Sequence, residues 1–332
     1  MISLMRRLLL IALMTGLCLF GWMVHFSEQP LNLSETPQDL VLKQGSSLRA
    51  ISQQLVSEKV LNEPWSFMLM VRAYGMASAI KAGNYQLEKG MTTYDLFQMI
   101  TSGNTVQRGI IFIEGWTFKQ MRAALNANES VRHLSMHLSD AEILAQIGAT
   151  ESNPEGLFFP DSYYFSSGMS DLDILKRAYQ TMQRKLDIAW RVRAPGLPYA
   201  SPYQALIMAS IVEKETGRSD ERPLIARVFQ NRIKLGMRLQ TDPTVIYGMG
   251  EQFDGNLRKK DLLTDTPYNT YTRGGLPPTP IAMPGLAAIE AVLHPVASEA
   301  LYFVGKGDGS HAFSATLSEH NRAVGHYQLK RN

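Results

Sequence analysis

Three times in its N-terminal part the chain repeats one local pattern: a short apolar run, a glycine, small or hydroxyl residues, then an amphipathic stretch. It reads LVLKQGSSLRAISQQL around Gly45, YQLEKGMTTYDLFQMI around Gly90 and IFIEGWTFKQMRAAL around Gly115. A glycine suits a tight turn from strand to helix, and the Ser or Thr after it can cap the helix. The pattern therefore predicts mixed α+β architecture. Spacings of 45 and 25 residues are uneven, so this is repeated local architecture and not a solenoid. With 332 residues, 45% apolar and 19% charged, the chain has room for about two domains.

Arg6 and Arg7 precede an apolar run over 8–24. About 17 residues is the short end of what spans a bilayer. Basic residues before the run put the N-terminus in the cytoplasm and the rest outside it. A cleaved signal peptide is the competing reading. Gly21, Trp22, Met23, Val24 and His25 supply no small-x-small cleavage site, which favours an uncleaved anchor. Leu17 stands before Cys18 where a lipoprotein would need a small residue, and Cys18 is the single cysteine, so no disulfide is expected. His133 and His137 stand four apart in a helical-looking stretch without acidic company, the pattern of two surface histidines and not of zinc; no metal or cofactor is expected. A net charge of +3 makes no case for nucleic-acid binding, which needs a concentrated basic face.

Residues 26–39 are polar and Pro-containing and read as a tether above the membrane. The block 36–102 holds the first two glycine patterns and resembles LysM-like glycan-holding modules, chiefly through LKQGSSLRAISQQL; a small α+β spacer is the other reading. A Gly/Asn/Thr-rich stretch at 103–108 suits a boundary. The expected domains are 1–30 (cytoplasmic tip, anchor and start of the tether), 31–105 (tether and LysM-like module) and 106–332 (catalytic). Residues 139–147 and 170–194 have helical periodicity. Between them GLFFPDSYYF, 156–165, is the densest aromatic stretch, fit either to stack on sugar rings or to fill a core. Residues 301–304 and 311–314 read as a hairpin around a Gly-rich turn.

The most informative segment is QALIMASIVEKETG, 204–217. Its apolar residues make a helix with a buried face, and Gly217 reads as its C-cap glycine. Glu213 and Glu215 in its last turn point about 200° apart, so they are no carboxylate pair. Three, four and seven residues before Glu215 stand Val212, Ile211 and Met208; before Glu213 stand Ser210, Ala209 and Leu206. Glu215 is thus the one expected to be desolvated, at the negative end of the helix dipole, and both effects keep its proton on. Such an acid can protonate a leaving glycosidic oxygen. A serine acyl-enzyme fails on spacing, because Glu213 and not a lysine stands three residues after Ser210.

ASIVEKETG resembles the catalytic helix end of lysozyme-like lytic transglycosylases, with the acid falling on Glu215. More specifically, the chain resembles the endolytic murein transglycosylase (MltG, YceG-like) family. The matching segments are EGWTF at 114–118, FFPDSYYF at 158–165, ASIVEKET at 209–216, VFQNRIKLGMRLQTDPTVIYGMG at 228–250, YNTYTRGGLPP at 268–278 and HPVASEALYFVGKGDGSHAFSATLSEHN at 294–321. Arg273-Gly274 before LPP departs slightly from the pattern and bears on local loop shape only.

The resemblance implies a lysozyme-like catalytic domain of helices and short hairpins after the anchor and the LysM-like module. It implies cleavage of the bond between N-acetylmuramic acid and N-acetylglucosamine inside glycan strands, leaving 1,6-anhydro ends and stopping strand elongation. Glu215 would serve as acid and then base, with no second carboxylate. Gln240, Asp242, Tyr247, Asn269 and Tyr271 become candidate sugar contacts, their amide, phenol and carboxyl groups suiting acetamido and hydroxyl partners. Asp242 before Pro243 reads first as a helix N-cap with proline at N1. Leu276-Pro277-Pro278 would stiffen a cleft wall, and His311 would face the site or serve structure. Partners would be peptidoglycan strands, the membrane and glycan-polymerising penicillin-binding proteins, with the catalytic domain in the periplasm of a bacterial inner-membrane protein. A peptidoglycan-binding scaffold and a hydrolytic muramidase are the alternatives.

Overall fold

The three recurring glycines all adopt left-handed backbone, φ +81 at Gly45, +89 at Gly90 and +78 at Gly115, where an L side chain would be strained. Two residues on, the side chains of Ser47, Thr92 and Thr117 cap the helices that follow. Thr92 with Asp95 and Thr117 with Gln120 complete reciprocal capping boxes. The computed structural model describes residues 2–33, 38–103, 108–165 and 169–329. The chain divides into two units, Met1–Arg108 with Tyr164–Gly168, and Gly109–Tyr163 with Met169–Asn332.

The first unit runs α1 (Ile2–Ser27), β1 (Gln38–Leu42), α2 (Leu48–Ser57), α3 (Trp65–Ala73), β2 (Gly83–Leu87) and α4 (Thr93–Ser102). Strands β1 and β2 pair antiparallel with Gln38 opposite Leu87 and Leu42 opposite Gly83. The helices cover this ladder around Leu40, Leu55, Phe67, Tyr85 and Leu96, all buried. Each such side chain contributes roughly 1.5–3 kcal/mol.

The expected tether is a correction, because its described part packs on this core. Phe26 and Leu31 are buried in it. The Leu31 and Asn32 N–H groups donate to the Met91 and Val60 carbonyls at 2.8 and 3.1 Å. Burying Phe26 and Leu31, with Leu33 packed against the same core, outweighs the loop entropy lost. The tether's remaining residues 34–37, and most of the expected boundary, 104–107, lie outside the described residues. Among the described residues no helix is long and apolar enough to cross a membrane; the side chains of Leu8, Leu9 and Ala12 in α1 lie outside that description.

β3 (Arg108–Ile111) carries the chain across the division between the units. After it come α5 (Phe118–Asn126), α6 (Asp140–Ile147), β4 (Ser162–Phe165), α7 (Asp171–Arg191), α8 (Pro202–Glu215), α9 (Arg222–Lys234), α10 (Asp242–Met249), a 3-10 turn (Gly250–Gln252), α11 (Lys259–Leu263), α12 (Leu286–Leu293), β5 (Tyr302–Gly305), β6 (His311–Ser314) and α13 (Leu317–Tyr327). Helix α8 is the centre of the second unit. Its residues from Ala205 through Val212 are buried on every side, as an all-round apolar helix must be, and α7, α9, α10 and α12 pack on it. The expected hairpin forms between β5 and β6, with Tyr302 opposite Ser314 and Gly305 opposite His311. The aromatic run resolves in favour of packing: Leu157, Phe158, Phe159, Tyr163 and Phe165 are buried, and Phe158 stacks on Phe118 at 4.9 Å. His133 and His137 lie in turns before α6 and not on a helix.

Candidate active site

Helix α8 starts cleanly, with Ser201 accepting the Gln204 N–H and Pro202 in the first turn. Its end corrects the sequence expectation. Thr216 takes extended backbone, φ −145 and ψ 135, and stops the helix; Gly217 is not a left-handed cap. Glu215 is therefore the last helical residue, at the end where unpaired carbonyls carry the negative pole.

The two glutamates part company as helical geometry requires. Glu213 accepts the Gly285 N–H at 2.9 Å and pairs with Arg222 at 3.1 Å, the two side chains 5% and 10% exposed. Glu213 thus has the more polar setting expected of it, an ion pair and an amide, yet it is buried too, and burial raises its pKa against the Gly285 amide and Arg222. Desolvation does not separate the two carboxyls; their partners do. Glu213 is committed to holding the fold.

Glu215 points the other way, half-buried, and its Oε1 accepts the Thr241 hydroxyl. Burial is the main cause lifting its pKa, and the negative charge of Asp242 adds to it. The Thr241 hydrogen bond opposes first, then the electrostatic influence of His311 and Arg232. Arg232 is itself buried and held by the Leu301 and Leu239 carbonyls, both at 2.7 Å.

Thr241 is placed by a knot of buried threonines. Its N–H donates to Thr270 Oγ1 at 3.1 Å, its carbonyl accepts the Thr244 hydroxyl at 2.7 Å, and Thr244 and Thr270 hydroxyls meet at 2.8 Å. Just before it Gln240 adopts φ +52, left-handed backbone that a non-glycine residue holds only when its surroundings impose it. Here the Gln240 N–H donates to the Thr270 carbonyl at 3.1 Å.

The sequence-expected residues fall into three groups. Asp242 and Tyr271 stand near Glu215: the Tyr271 hydroxyl donates to Asp242 Oδ1 at 2.6 Å, the Asp242 charge raises the Glu215 pKa, and the Glu215 charge helps raise that of Tyr271. Asp242 is the first residue of α10 and Thr241 its N-cap, so the expected cap lies one residue early; proline stands second, which leaves the Asp242 side chain free to meet Tyr271. Gln240 presents an exposed side chain beside them. Asn269 is elsewhere. It is 0% exposed, and its amide donates to the Asp261, Leu262 and Thr264 carbonyls at 3.3, 3.1 and 2.6 Å while accepting the Tyr271 N–H at 2.8 Å. It has no polar atom to offer a sugar and instead holds the loop that carries Thr270 and Tyr271. Tyr247 lies one helical stretch along α10, its hydroxyl donating to Glu155 Oε2 at 3.1 Å and its ring edge-on to Tyr268 at 4.9 Å.

A cavity of about 1120 Å³ opens in the same unit, lined by Phe118, Glu155, Lys214, Pro243, Tyr247 and Tyr268 among others. Lys214 and Pro243 are the chain neighbours of Glu215 and Asp242, but Glu215, Thr241 and Asp242 are not themselves among its lining residues. Its volume lies just above the usual range for ligand sites, roughly 300–1,000 Å³. Ser210, by contrast, is buried, donating to Ile207 and accepting the Ile281 N–H at 2.9 Å, which removes it from nucleophilic use. His311 is held by Glu221, which accepts its N–H at 3.0 Å and its Nδ1 at 2.7 Å. Sequence reasoning missed Thr241, Arg232, Glu221 and Glu155. Glu155 alone left a signal, standing directly before the aromatic run.

The YceG-like family model matches residues 40–326, and the chain belongs to that family. The endolytic murein transglycosylase of Bacillus subtilis (strain 168) is 35% identical over 317 residues, covering 90% of this chain and 87% of that protein. The endolytic murein transglycosylase of Streptococcus pneumoniae (strain R6) is 26% identical over 317 residues; the match covers 85% of this chain but 57% of the streptococcal protein. Among solved structures, a yceG-like protein from Listeria monocytogenes is similar with a TM-score of 0.52 at 30% identity, covering 87% of this chain and all of that one.

Proposed function

We propose that this chain is an endolytic lytic transglycosylase of peptidoglycan. The observation that carries the proposal is a desolvated carboxyl, Glu215, bound by the Thr241 hydroxyl at a helix end, in the same unit as a cavity of about 1120 Å³. The relatives named endolytic murein transglycosylase support it.

In this reading Glu215 begins protonated. Its Oε1 is occupied by the Thr241 hydroxyl, so its proton rides on Oε2. It passes to the bridging oxygen as the muramic acid C1–O bond breaks, releasing the N-acetylglucosamine 4-hydroxyl. The carboxylate then takes the proton of the muramic acid 6-hydroxyl as O6 closes on C1. The product is a 1,6-anhydro end, the proton returns to Glu215, and no water is consumed. Asp242, oriented by Tyr271, supplies negative charge opposite the cation-like sugar carbon. A conventional glycosidase would need a second carboxyl as base or nucleophile; here the sugar's own hydroxyl takes that part.

The test is Glu215→Gln on glycan strands, read by mass spectrometry. Loss of anhydro-ended products by about 10³-fold or more is expected for removing a group that is both acid and base. Undiminished anhydro product removes the assignment. Reducing ends from the wild-type protein would mean a hydrolytic muramidase, and binding without cleavage a scaffold.

The same proposal extends to the rest of the chain. Helix α1, with Leu10, Ile11, Leu13, Met14, Leu17 and Phe20 all strongly exposed, attaches the protein to the bacterial inner membrane, its N-terminus in the cytoplasm and the catalytic unit in the periplasm. The β-α-α-β order of β1, α2, α3 and β2 supports a LysM-like module. A place at the membrane face suits work on nascent strands beside glycan-polymerising penicillin-binding proteins.

A further inference from the structure

Glu155 is a buried titratable group that the mechanism above does not use. It sits in the loop between α6 and β4 and its residue is 5% exposed. Its two carboxyl oxygens reach two different elements. One accepts the N–H of Phe118, the first residue of α5, at 3.1 Å; the other accepts the Tyr247 hydroxyl of α10 at 3.1 Å. The loop that carries it is fixed. Asn153 accepts the Glu155 N–H at 2.9 Å. Gly156 has φ +79, and a Cβ there would come within 2.4 Å of Pro280, so the chain can lie this close only with glycine.

Taking a carboxyl out of water is costly, and a wall built only to exclude solvent would be apolar. What the carboxyl adds is a tie between α5 and α10 that an apolar side chain could not make. Helix α10 is the one whose start carries Thr241 and Asp242, and Tyr247 packs its ring edge on Tyr268 across the cavity wall. We infer that Glu155 is a positioning residue: it locks α10 against α5, and thereby sets where Tyr247 and Tyr268 meet the glycan and how Thr241 and Asp242 face Glu215. The inference rests on the transglycosylase reading for its substrate but not for its geometry.

Burial lifts the Glu155 pKa to about 7, against the Phe118 and Gly156 amides and the Tyr247 hydroxyl, with Asp140 adding to the rise. Of the other charges on the elements around it, Arg122 of α5 pairs with Asp140 of α6 at 2.9 Å and Lys119 of α5 with Glu251, while Glu142 of α6 accepts the Ser139 N–H and hydroxyl and Asp242 of α10 accepts the Tyr271 hydroxyl. Lys214 of α8 donates to the Gly115 carbonyl at 3.3 Å. The lock therefore changes its hydrogen-bonding character near neutral pH, when the carboxyl turns from acceptor of both bonds to acid.

The experiment is a double-mutant cycle on the full chain: wild type, Glu155→Gln, Tyr247→Phe and the pair. Initial rates of anhydro-end formation on uncross-linked glycan strands are measured across substrate concentration and pH. Each single change should raise KM about tenfold, the worth of one hydrogen bond, with a smaller effect on kcat. The double variant should be no worse than either single one. The wild-type KM should shift through pH 7 and that of Glu155→Gln should not. Additive effects, or the same inflection in both proteins, overturn the inference. If the wild type makes no anhydro ends, the transglycosylase reading falls instead. The coupling is then read from the unfolding midpoints of the same four proteins, where additive shifts overturn it. Tyr247→Phe, which removes one oxygen, serves if Glu155→Gln does not fold.

Discussion

Replacing Glu155 by Gln should change how the stability of this protein depends on pH, by an amount the structure sets. The folded carboxyl titrates at about 7 against an ordinary value of 4.5. A gap of about 2.5 pH units, at about 1.4 kcal/mol each, corresponds to about 3 kcal/mol. The sign follows from proton binding. Between pH 4.5 and 7 the folded state holds this proton and the unfolded chain releases it. The stabilisation is complete below about 4.5 and is lost as pH rises to about 7. Gln has no proton to lose, so the variant lacks this loss. From pH 4.5 to 8 its unfolding free energy should therefore improve relative to wild type by about 3 kcal/mol, whatever its offset at the acid end. Glu213 and Glu215 also have raised pKa values, but they titrate in both proteins and cancel in the difference. Urea unfolding followed by circular dichroism at half-unit pH intervals measures it. Two curves that stay parallel across this range would refute the claim that Glu155 is buried at the cost of its charge.

Thr241→Val removes the hydroxyl that stabilises the Glu215 carboxylate, so the Glu215 pKa should rise further and the alkaline limb of kcat should move up by about half to one pH unit; an unmoved limb refutes the bond's role. Arg222→Leu leaves Glu213 buried without its ion partner and should cost about 3–5 kcal/mol in denaturant unfolding, most of it recovered in Arg222→Leu with Glu213→Gln. Asn269→Ala strips a partner from three backbone carbonyls and should lower stability by about 2–3 kcal/mol, while a loss of activity with unchanged thermal midpoint would mean that Asn269 contacts substrate after all.

Much of this was legible before any coordinates, and the parts that were not share a cause. The glycine turns, their caps and the hairpin follow from local backbone chemistry, which a run of ten residues contains in full. The separation of Glu213 from Glu215 follows from helical pitch alone. Burial of Glu213 was not legible, because Arg222 and Gly285 lie nine and seventy-two residues away. Asn269 has the residue type of a sugar contact, yet its amide is consumed by carbonyls five to eight residues back. Nothing in the sequence separates a side chain that presents an amide from one that spends it. The segment 26–33 was misleading for the opposite reason. Its composition is that of a linker, but Phe26, Leu31 and Leu33 pack it on the core.

Three consecutive residues at the end of α8 explain why a single acid can be held so specifically. Glu213 is tied to Arg222 and Gly285, and Lys214 to the carbonyl of Gly115. Glu215 is left to Thr241. The first two fix the last turn of the helix from two sides. The turn therefore cannot swing Glu215 toward solvent without breaking contacts that are not its own. A carboxyl that must stay uncharged cannot orient itself by an ion pair, since the pair would take its proton away. The charged contacts are placed one and two residues earlier. The Thr241 hydroxyl, a weaker partner, leaves the Glu215 pKa raised. Moving the ion pair onto Glu215, for example with Thr241→Arg, should abolish anhydro-end formation and, because Thr241 is buried, should also lower the unfolding midpoint; retained activity in that variant would show that a neutral acid is not required.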